Sequence, residues 1–219
     1  ADMAVVPAGE FPMGNPWTAR HSEERPVHTV DLDEYWIDVF EVANAQFAAV
    51  LNWAHERHKL RDEDGRLFDG DSDVYFAGRR LFAVNQSDIR YDDGDNRFVV
   101  QARNFRPMLD HPVTFVTWYG AINYCNWLSE MDGLTPCYSN VHSDRVHCHF
   151  AADGYRLPTE AEWEKAASYD PWTVDPVAGP KQKYAMIGPL TGFARANFYD
   201  PVLKEFNNPV GPQGQPFTA

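Results

Sequence analysis

The chain has 219 residues, of which 44% are hydrophobic and 14% aromatic, and its 19 basic and 32 acidic side chains give a net charge of −13. So many aromatic residues exclude extensive disorder, because most of the rings need a core to cover them. No apolar run approaches the roughly 20 residues that cross a bilayer, so the sequence predicts no membrane span. The acidic balance repels phosphate backbones and argues against nucleic-acid binding. The acidic charge is consistent with simple solubility or with calcium binding outside the cell.

Short strands are predicted in the first forty residues. Residues 5–14 read as two strands separated by a turn. Residues 27–32 alternate apolar and polar side chains, which is typical of a half-buried strand, and residues 35–39 predict another.

Two helices are predicted next, from apolar side chains that repeat at helical spacing. From Glu41 onward apolar side chains recur with a period near 3.6, which predicts a helix of about four turns. The repeat comprises Val42, Ala45, Ala49 and Trp53, with Phe47, Val50 and Leu51 nearby. After a polar, turn-rich stretch with strands at 74–76 and 98–100, a second helix is predicted over residues 118–130. Its predicted inner face comprises Ala121, Tyr124, Cys125 and Leu128.

A third helix has a clear start signal. Thr159 precedes Glu162 by three residues, which is the spacing of a capping box, and Pro158 prevents a helix from entering from upstream. The helix is predicted over residues 161–167. Half of the chain's 16 prolines then lie in residues 171–219, which predicts an irregular tail.

An acidic run offers oxygen ligands at alternate positions, as calcium loops do. It consists of Asp62, Asp64, Asp69, Asp71 and Asp73. The run lacks the Gly and terminal Glu of an EF-hand loop. A solvated cluster of turns is the preferred interpretation, and an ion site is the alternative.

Two cysteines and three histidines lie within thirteen residues. Their spacing predicts a β-hairpin whose four-residue loop at 141–144 places Cys137 opposite Cys148. We therefore predict a Cys137–Cys148 disulfide in an oxidising compartment. Zinc or copper binding with His142, His147 and His149 is the alternative. Strand alternation weakens it, because His147 and His149 share the face opposite Cys148.

Motifs for catalysis are scarce in this sequence. Neither G-x-S-x-G nor H-E-x-x-H is present, and there is no P-loop or G-x-G-x-x-G. Cys125 lies on the predicted inner face of a helix with no Lys or His one turn away, which favours a buried structural thiol. We predict no catalytic residue and no cofactor-binding residue in this chain.

Six ordered blocks across residues 5–167 resemble the formylglycine-generating enzyme family, also called sulfatase-modifying factors. The blocks are residues 9–14 (GEFPMG), 25–30 (RPVHTV), 41–47 (EVANAQF), 112–121 (PVTFVTWYGA), 124–130 (YCNWLSE) and 154–164 (GYRLPTEAEWE). The last block is the most specific of the six.

This resemblance implies a compact α+β fold, a variant of the C-type-lectin fold with little regular structure. We expect about three helices, short antiparallel strands and one domain over residues 1–219. Members of the family include copper-dependent oxidases that convert a cysteine of sulfatases to formylglycine, sulfoxide synthases, and proteins that only display or bind ligands. Bound calcium is frequent among them.

Departures from the family pattern matter as much as the matches. In the oxidases the copper-binding cysteines follow blocks near the C-terminus that have no counterpart before Ala219. The resemblance therefore implies copper only if further sequence supplies its ligands. It also implies that Cys125 has a partner in that C-terminal part. Asn197 and Phe198 match a calcium-binding block, through the Asn side chain and the following carbonyl.

Two functions follow from these observations. The first is a secreted or periplasmic, non-catalytic binding or accessory module, a possible subunit of a larger assembly, with a protein or a small ligand as its partner. The alternative is a truncated or processed copper-dependent oxidase whose catalytic cysteines lie beyond residue 219. A chain that starts at Ala1 and has an odd number of cysteines fits a processed, secreted protein, although it also fits a recombinant product.

Overall fold

The computed structural model describes residues 3–16, 24–68, 70, 73–168, 198–200 and 205–207. By their internal contacts, residues 1–39 with 158–219 form one compact unit, unit 1, and residues 40–157 form another, unit 2. The first unit is therefore discontinuous in sequence. The prediction of one domain over residues 1–219 remains a prediction.

Unit 1 contains two-stranded antiparallel sheets and one helix. Strand β1 pairs with β4, β2 pairs with β3, and β11 pairs with β12. The elements are β1 (Met3–Val6), β2 (Gly9–Met13), β3 (His28–Leu32), β4 (Tyr35–Asp38), α3 (Glu160–Ser168), β11 (Phe198–Asp200) and β12 (Glu205–Asn207). The four strands predicted before residue 40 are confirmed.

Unit 2 contains the other two helices and three hairpins. Each hairpin is antiparallel and pairs strands that are consecutive in the chain. The elements are α1 (Asn44–Glu56), β5 (Val74–Phe76), β6 (Arg79–Phe82), β7 (Ile89–Asp92), β8 (Arg97–Val100), α2 (Trp118–Met131), β9 (Tyr138–Ser139) and β10 (His147–Cys148). Three helices with short antiparallel strands confirm the predicted α+β class; β6 and β7 were not predicted.

The core of unit 2 is aromatic. Phe47 on α1 packs against Phe82 at a centroid distance of 5.2 Å and stacks on Tyr124 of α2 at 5.5 Å. All three side chains belong to one buried cluster. Burial of rings of this size supplies a large apolar area together with specific ring geometry.

The predicted apolar face of α1 is confirmed in part. Phe47, Val50 and Leu51 are buried, and Val42 and Trp53 pack against the core. Ala49 is exposed. The larger Phe47, Val50 and Leu51 side chains bury more apolar area than an alanine, which is why they face inward.

Helix α2 is buried on more than one face. Tyr124 and Cys125 are buried as predicted, but Asn123, Asn126 and Ser129 are buried too. These polar side chains are hydrogen bonded: Asn123 donates to the Tyr119 carbonyl at 2.8 Å and Ser129 to the Cys125 carbonyl at 2.8 Å. Buried polar groups are stable when they are paired in this way.

Candidate functional site

The two cysteines of the predicted hairpin lie in a different register from the predicted one. Cys148 pairs with Tyr138 and His147 with Ser139, and the His149 amide donates to the Cys137 carbonyl at 2.8 Å. The hairpin loop is longer than the predicted four residues. The strand pairing is displaced by one position from the predicted register, so Cys137 lies opposite His149 and not opposite Cys148. A one-residue displacement moves a side chain to the other face of the strand.

The Cys137–Cys148 disulfide therefore stays a prediction. Cys137 is only 1% exposed, and its Sγ–H donates to the Gly154 carbonyl at 3.2 Å. Burial, reinforced by the nearby Cys148 thiol, raises the pKa of the Cys137 thiol. A thiol with a raised pKa is a poor nucleophile at neutral pH.

Tyr138 fastens this hairpin to α2. Asn126 donates its side-chain amide to the Tyr138 carbonyl at 2.8 Å and accepts the Tyr138 N–H at 2.9 Å. The Tyr138 hydroxyl accepts the Leu157 N–H at 2.9 Å, and burial raises the pKa of Tyr138 to about 12. Cys125, on the same helix, is buried, as the sequence predicts. Its structural role and its partner stay predictions.

The alternative of a metal site at the hairpin gains no support. His147 and His149 lie on one face, with ring centroids 4.4 Å apart, and His149 Nε2 contacts Ser139 Oγ at 2.8 Å. Across the described ranges, no three His, Cys, Asp or Glu side chains converge so as to hold an ion.

The acidic run is partly described. Asp62 is buried and accepts the Arg66 N–H at 2.7 Å, and Arg66 also pairs with Asp64 at 2.8 Å. These contacts fit the interpretation as turns. Asp69 and Asp71 lie outside the described residues, and so does Asn197 of the predicted calcium site. Phe198 is the first residue of β11, where its backbone is opposite Asn207.

Sequence reasoning missed an exposed aromatic surface in unit 2. We define this aromatic surface as Phe115, Trp118, Tyr119 and Arg79. Phe115 and Trp118 are each 52% exposed. The Trp118 and Tyr119 rings meet edge to face with centroids 5.2 Å apart, and the Arg79 guanidinium lies 4.8 Å from the centre of the Tyr119 ring.

The start of α2 positions these rings. Thr117 caps the helix by accepting the Gly120 N–H at 3.1 Å, and its own hydroxyl donates to the Arg80 carbonyl of β6 at 2.6 Å. One hydroxyl therefore both caps the helix and ties it to the strand that carries Arg79. Trp118 is the first residue of α2 and follows the capping Thr117 directly in the chain.

Gly120 allows the close approach of α2 to β6. A Cβ at this position would lie 2.2 Å from the Leu81 carbonyl oxygen and 2.8 Å from Val116 Cγ1. Any side chain would force the helix away from the strand. The sequence signal that could have indicated the surface is the Phe115–Tyr119 run, in which a helix cap is flanked by aromatic residues.

Charge at the aromatic surface is arranged around Arg79. Its guanidinium pairs with Asp144 at 2.5 Å, and the Asp144 side chain is 85% exposed. A guanidinium held between a ring face and an exposed carboxylate offers a cation–π contact and donors for carboxylates. The surface can therefore bind apolar and aromatic groups. It has no described pair of side chains arranged for proton transfer.

One protein family matches most of the chain. The model of the family described as "Sulfatase-modifying factor enzyme 1-like domain" matches residues 1–211, which include parts of both units. The chain belongs to the sulfatase-modifying factor family. This confirms the resemblance drawn from the six sequence blocks.

Among curated proteins, the chain is 30% identical over 173 residues to the formylglycine-generating enzyme of Bos taurus, which corresponds to 74% of this chain and 38% of that protein. It is 30% identical over 167 residues to the serine/threonine-protein kinase pkn1 of Chlamydia pneumoniae, or 76% of this chain and 19% of that protein. The chain thus spans well under half the length of these relatives.

A solved structure titled Treponema denticola variable protein 1 is similar with a TM-score of 0.49 at 23% identity, covering 83% of this chain and 56% of that one.

The described helices include none long and apolar enough to cross a bilayer.

Proposed function

We propose that this chain is a binding or accessory module, secreted or periplasmic, that uses the sulfatase-modifying factor fold as a platform for a protein or small-ligand partner. The observation that carries the proposal is the aromatic surface. At the junction of α2 and β6, the half-exposed Trp118 ring contacts the Tyr119 ring, the Arg79 guanidinium lies over Tyr119, and the half-exposed Phe115 precedes them in the chain. Aromatic and Arg side chains are the types most enriched at the centres of protein interfaces.

The rigidity of the junction supports this role. Thr117 and Gly120 fix the start of α2 against β6 through a cap, a hydroxyl–carbonyl hydrogen bond and a close approach. A surface that is already ordered loses little side-chain entropy on binding. Members of this family differ in function, so the function of this chain has to be inferred from its site and not from its fold.

The test is site-specific photo-crosslinking at position 118 in an extract of the native host. The same crosslinker at position 40, where Phe40 is also exposed, serves as the matched control. We expect a discrete adduct from position 118 and none from position 40. Adducts of equal yield and identity from both positions would contradict a binding role for the aromatic surface.

A second candidate is the oxidase, supported by the similarity to formylglycine-generating enzymes. In that case copper ligands would come from outside the described residues, and calcium would be a structural ion. Incubation of the native protein with copper, oxygen, a thiol reductant that supplies the other two electrons, and a cysteine-containing peptide distinguishes the two. Mass-spectrometric detection of formylglycine would support the oxidase and contradict the non-catalytic module.

A further inference from the structure

A further exposed ring, that of Phe105, lies outside the aromatic surface, at the tip of a tight turn. Arg103 and Arg106 exchange backbone hydrogen bonds of 3.1 and 3.0 Å. The two residues between them, Asn104 and Phe105, have φ angles of 51° and 63°. These are the features of a type I′ two-residue turn, in which both central residues have positive φ.

Phe105 is unfavourable at this position for local reasons. The second position of a type I′ turn favours Gly, because a Cβ is strained at positive φ, and Asn-Gly is the preferred pair. Asn104 fits that pair and Phe105 does not. The Phe105 side chain is fully exposed, with a relative exposure of 105%. The ring therefore adds strain and exposed apolar area without burying anything in the described part of the chain.

The base of the turn is held rigidly. The Arg103 guanidinium makes two hydrogen bonds to the Asp88 carboxylate, at 2.9 and 2.6 Å, and the Gln101 N–H donates to the Asp88 carbonyl at 2.8 Å. Paired bonds of this kind fix a guanidinium in one plane. The Phe105 ring is consequently presented from an ordered support.

One cation of the turn remains available beside the Phe105 ring. Residues 96–109 contain Arg97, Arg103 and Arg106 and no acidic residue. Because Arg103 is paired with Asp88, Arg106 is the cation of the turn itself that a partner can use. The Arg106 side chain is exposed and forms no ion pair within the described ranges. A cation beside an exposed ring complements a surface that carries carboxylates among apolar groups.

We propose that the turn from Arg103 to Arg106 docks an acidic segment of a partner protein, whose apolar side chains cover Phe105 and whose carboxylates pair with Arg106. This interaction goes beyond the module proposed above, because it uses neither Trp118 nor Arg79. The strain at Phe105 is then offset by contacts made only in the complex.

The decisive variant is Phe105→Gly, which creates the preferred Asn-Gly turn. Binding of a fluorescein-labelled peptide of alternating Glu and Leu is followed by fluorescence anisotropy, with a Lys-Leu peptide as the charge control. We expect Phe105→Gly to weaken binding about tenfold, as truncation of an interface anchor does, while its melting temperature stays equal or rises. Arg106→Glu weakens it similarly and reverses the preference between the peptides.

Matched controls are Phe40→Gly, which removes another exposed ring, and Arg145→Glu, which reverses an exposed charge. Both are expected to bind the Glu-Leu peptide like the unmodified chain. The proposal is overturned if Phe105→Gly lowers the melting temperature, since the ring would then support the fold, or if the variant binds normally. Binding to phosphatidylserine vesicles in place of the peptide would also overturn it.

Failure here is distinguishable from failure of the proposed function. Trp118→Ala is expected to bind the Glu-Leu peptide normally, because the turn from Arg103 to Arg106 does not include it. Loss of peptide binding in Trp118→Ala but not in Phe105→Gly would assign the acidic segment to the aromatic surface and overturn the docking role of the turn.

Discussion

In unit 1, helix α3 is attached to the strands through hydrogen bonds, whereas in unit 2 the helices share an aromatic core in addition to the hydrogen bonds of Thr117 and Asn126. Glu164 accepts the Gly14 N–H at 2.8 Å, the Tyr35 hydroxyl donates to the Glu162 carbonyl at 2.5 Å, and Lys165 donates to the carbonyls of Pro7 and Gly9 at 2.7 and 2.9 Å. In unit 2 the corresponding contacts are those of Phe47, Phe82 and Tyr124.

The difference indicates how each unit responds to change. Apolar packing depends on volume and on the area removed from water, and it is insensitive to pH. Polar attachment depends on donors and acceptors that must stay aligned and in one protonation state. Unit 1 should therefore be sensitive to single-atom changes and to pH, and unit 2 to loss of volume.

The largest effect is expected from Phe82→Ala in unit 2. Phe82 is 0% exposed and packs on Phe47. Removing a buried ring leaves a cavity and is expected to cost about 3–5 kcal/mol. Urea denaturation measures the loss, and hydrogen exchange should show it as reduced protection in residues 40–157. Phe40→Ala, at a side chain 72% exposed, is the control and should change stability little.

The next effect is expected from Lys165→Met in unit 1. The Lys165 side chain is only 2% exposed, and burial lowers the pKa of its ammonium. Met keeps most of the volume but removes both hydrogen bonds, which we expect to cost about 1–3 kcal/mol. Hydrogen exchange in residues 3–16 is the readout. Unchanged protection there would show that these bonds do not stabilise unit 1.

Lys59→Met is the matched control for the lysine. Lys59 pairs with Glu130 at 2.8 Å, and both side chains are partly exposed. Ion pairs of this kind contribute about 0–1 kcal/mol. A loss as large as that of Lys165→Met would mean that removal of a lysine, rather than of its buried bonds, causes the effect.

Local signals explain which parts of the fold could be predicted from the sequence. Thr159 and Glu162 form the predicted capping box, with the Thr159 N–H donating to the Glu162 carboxylate at 2.7 Å and the Glu162 N–H to the Thr159 hydroxyl at 3.2 Å. All the partners lie within four residues, so the sequence contains the whole interaction. The start of α3 was predicted within a residue for this reason.

Features that depend on distant partners could not be predicted. The rings that Phe47 of α1 packs against, Phe82 and Tyr124, come from other elements. The register of the 138–148 hairpin is decided in part by Asn126 of α2, which holds both backbone groups of Tyr138. The aromatic surface needs the Gly120–Leu81 approach, which no spacing within α2 reveals.

A smaller effect is expected from Thr159→Ala. The variant removes the hydroxyl that caps α3 and should cost about 1 kcal/mol. Thr159→Ser keeps the hydroxyl and serves as the control, with expected stability near that of the unmodified chain. The free energy of unfolding from urea titration is the measurement. Equal losses in both variants would show that the methyl group, and not the cap, is responsible.

The smallest effect at neutral pH is expected from Tyr35→Phe. This variant also tests whether the two units differ in how their stability depends on pH. Loss of one hydrogen bond to the Glu162 carbonyl should cost about 1 kcal/mol. Burial, with a further contribution from the Glu162 charge, raises the pKa of Tyr35 from 10.0 to about 12. The folded state therefore holds this proton more tightly than the unfolded state. Its contribution is complete below pH 10 and is lost as the pH rises through 12.

Unfolding of unit 1 should accordingly become easier between these pH values, and Tyr35→Phe should remove part of that dependence. Tyr138 in unit 2 provides the comparison, because burial raises its pKa to about 12 as well. Its hydroxyl accepts a hydrogen bond from Leu157, whereas that of Tyr35 donates one. Ionisation therefore abolishes the Tyr35 bond but leaves an acceptor at Tyr138. Hydrogen exchange at alkaline pH should show earlier loss of protection in residues 28–38 than in residues 118–139, and the reverse order would contradict the polar attachment of α3.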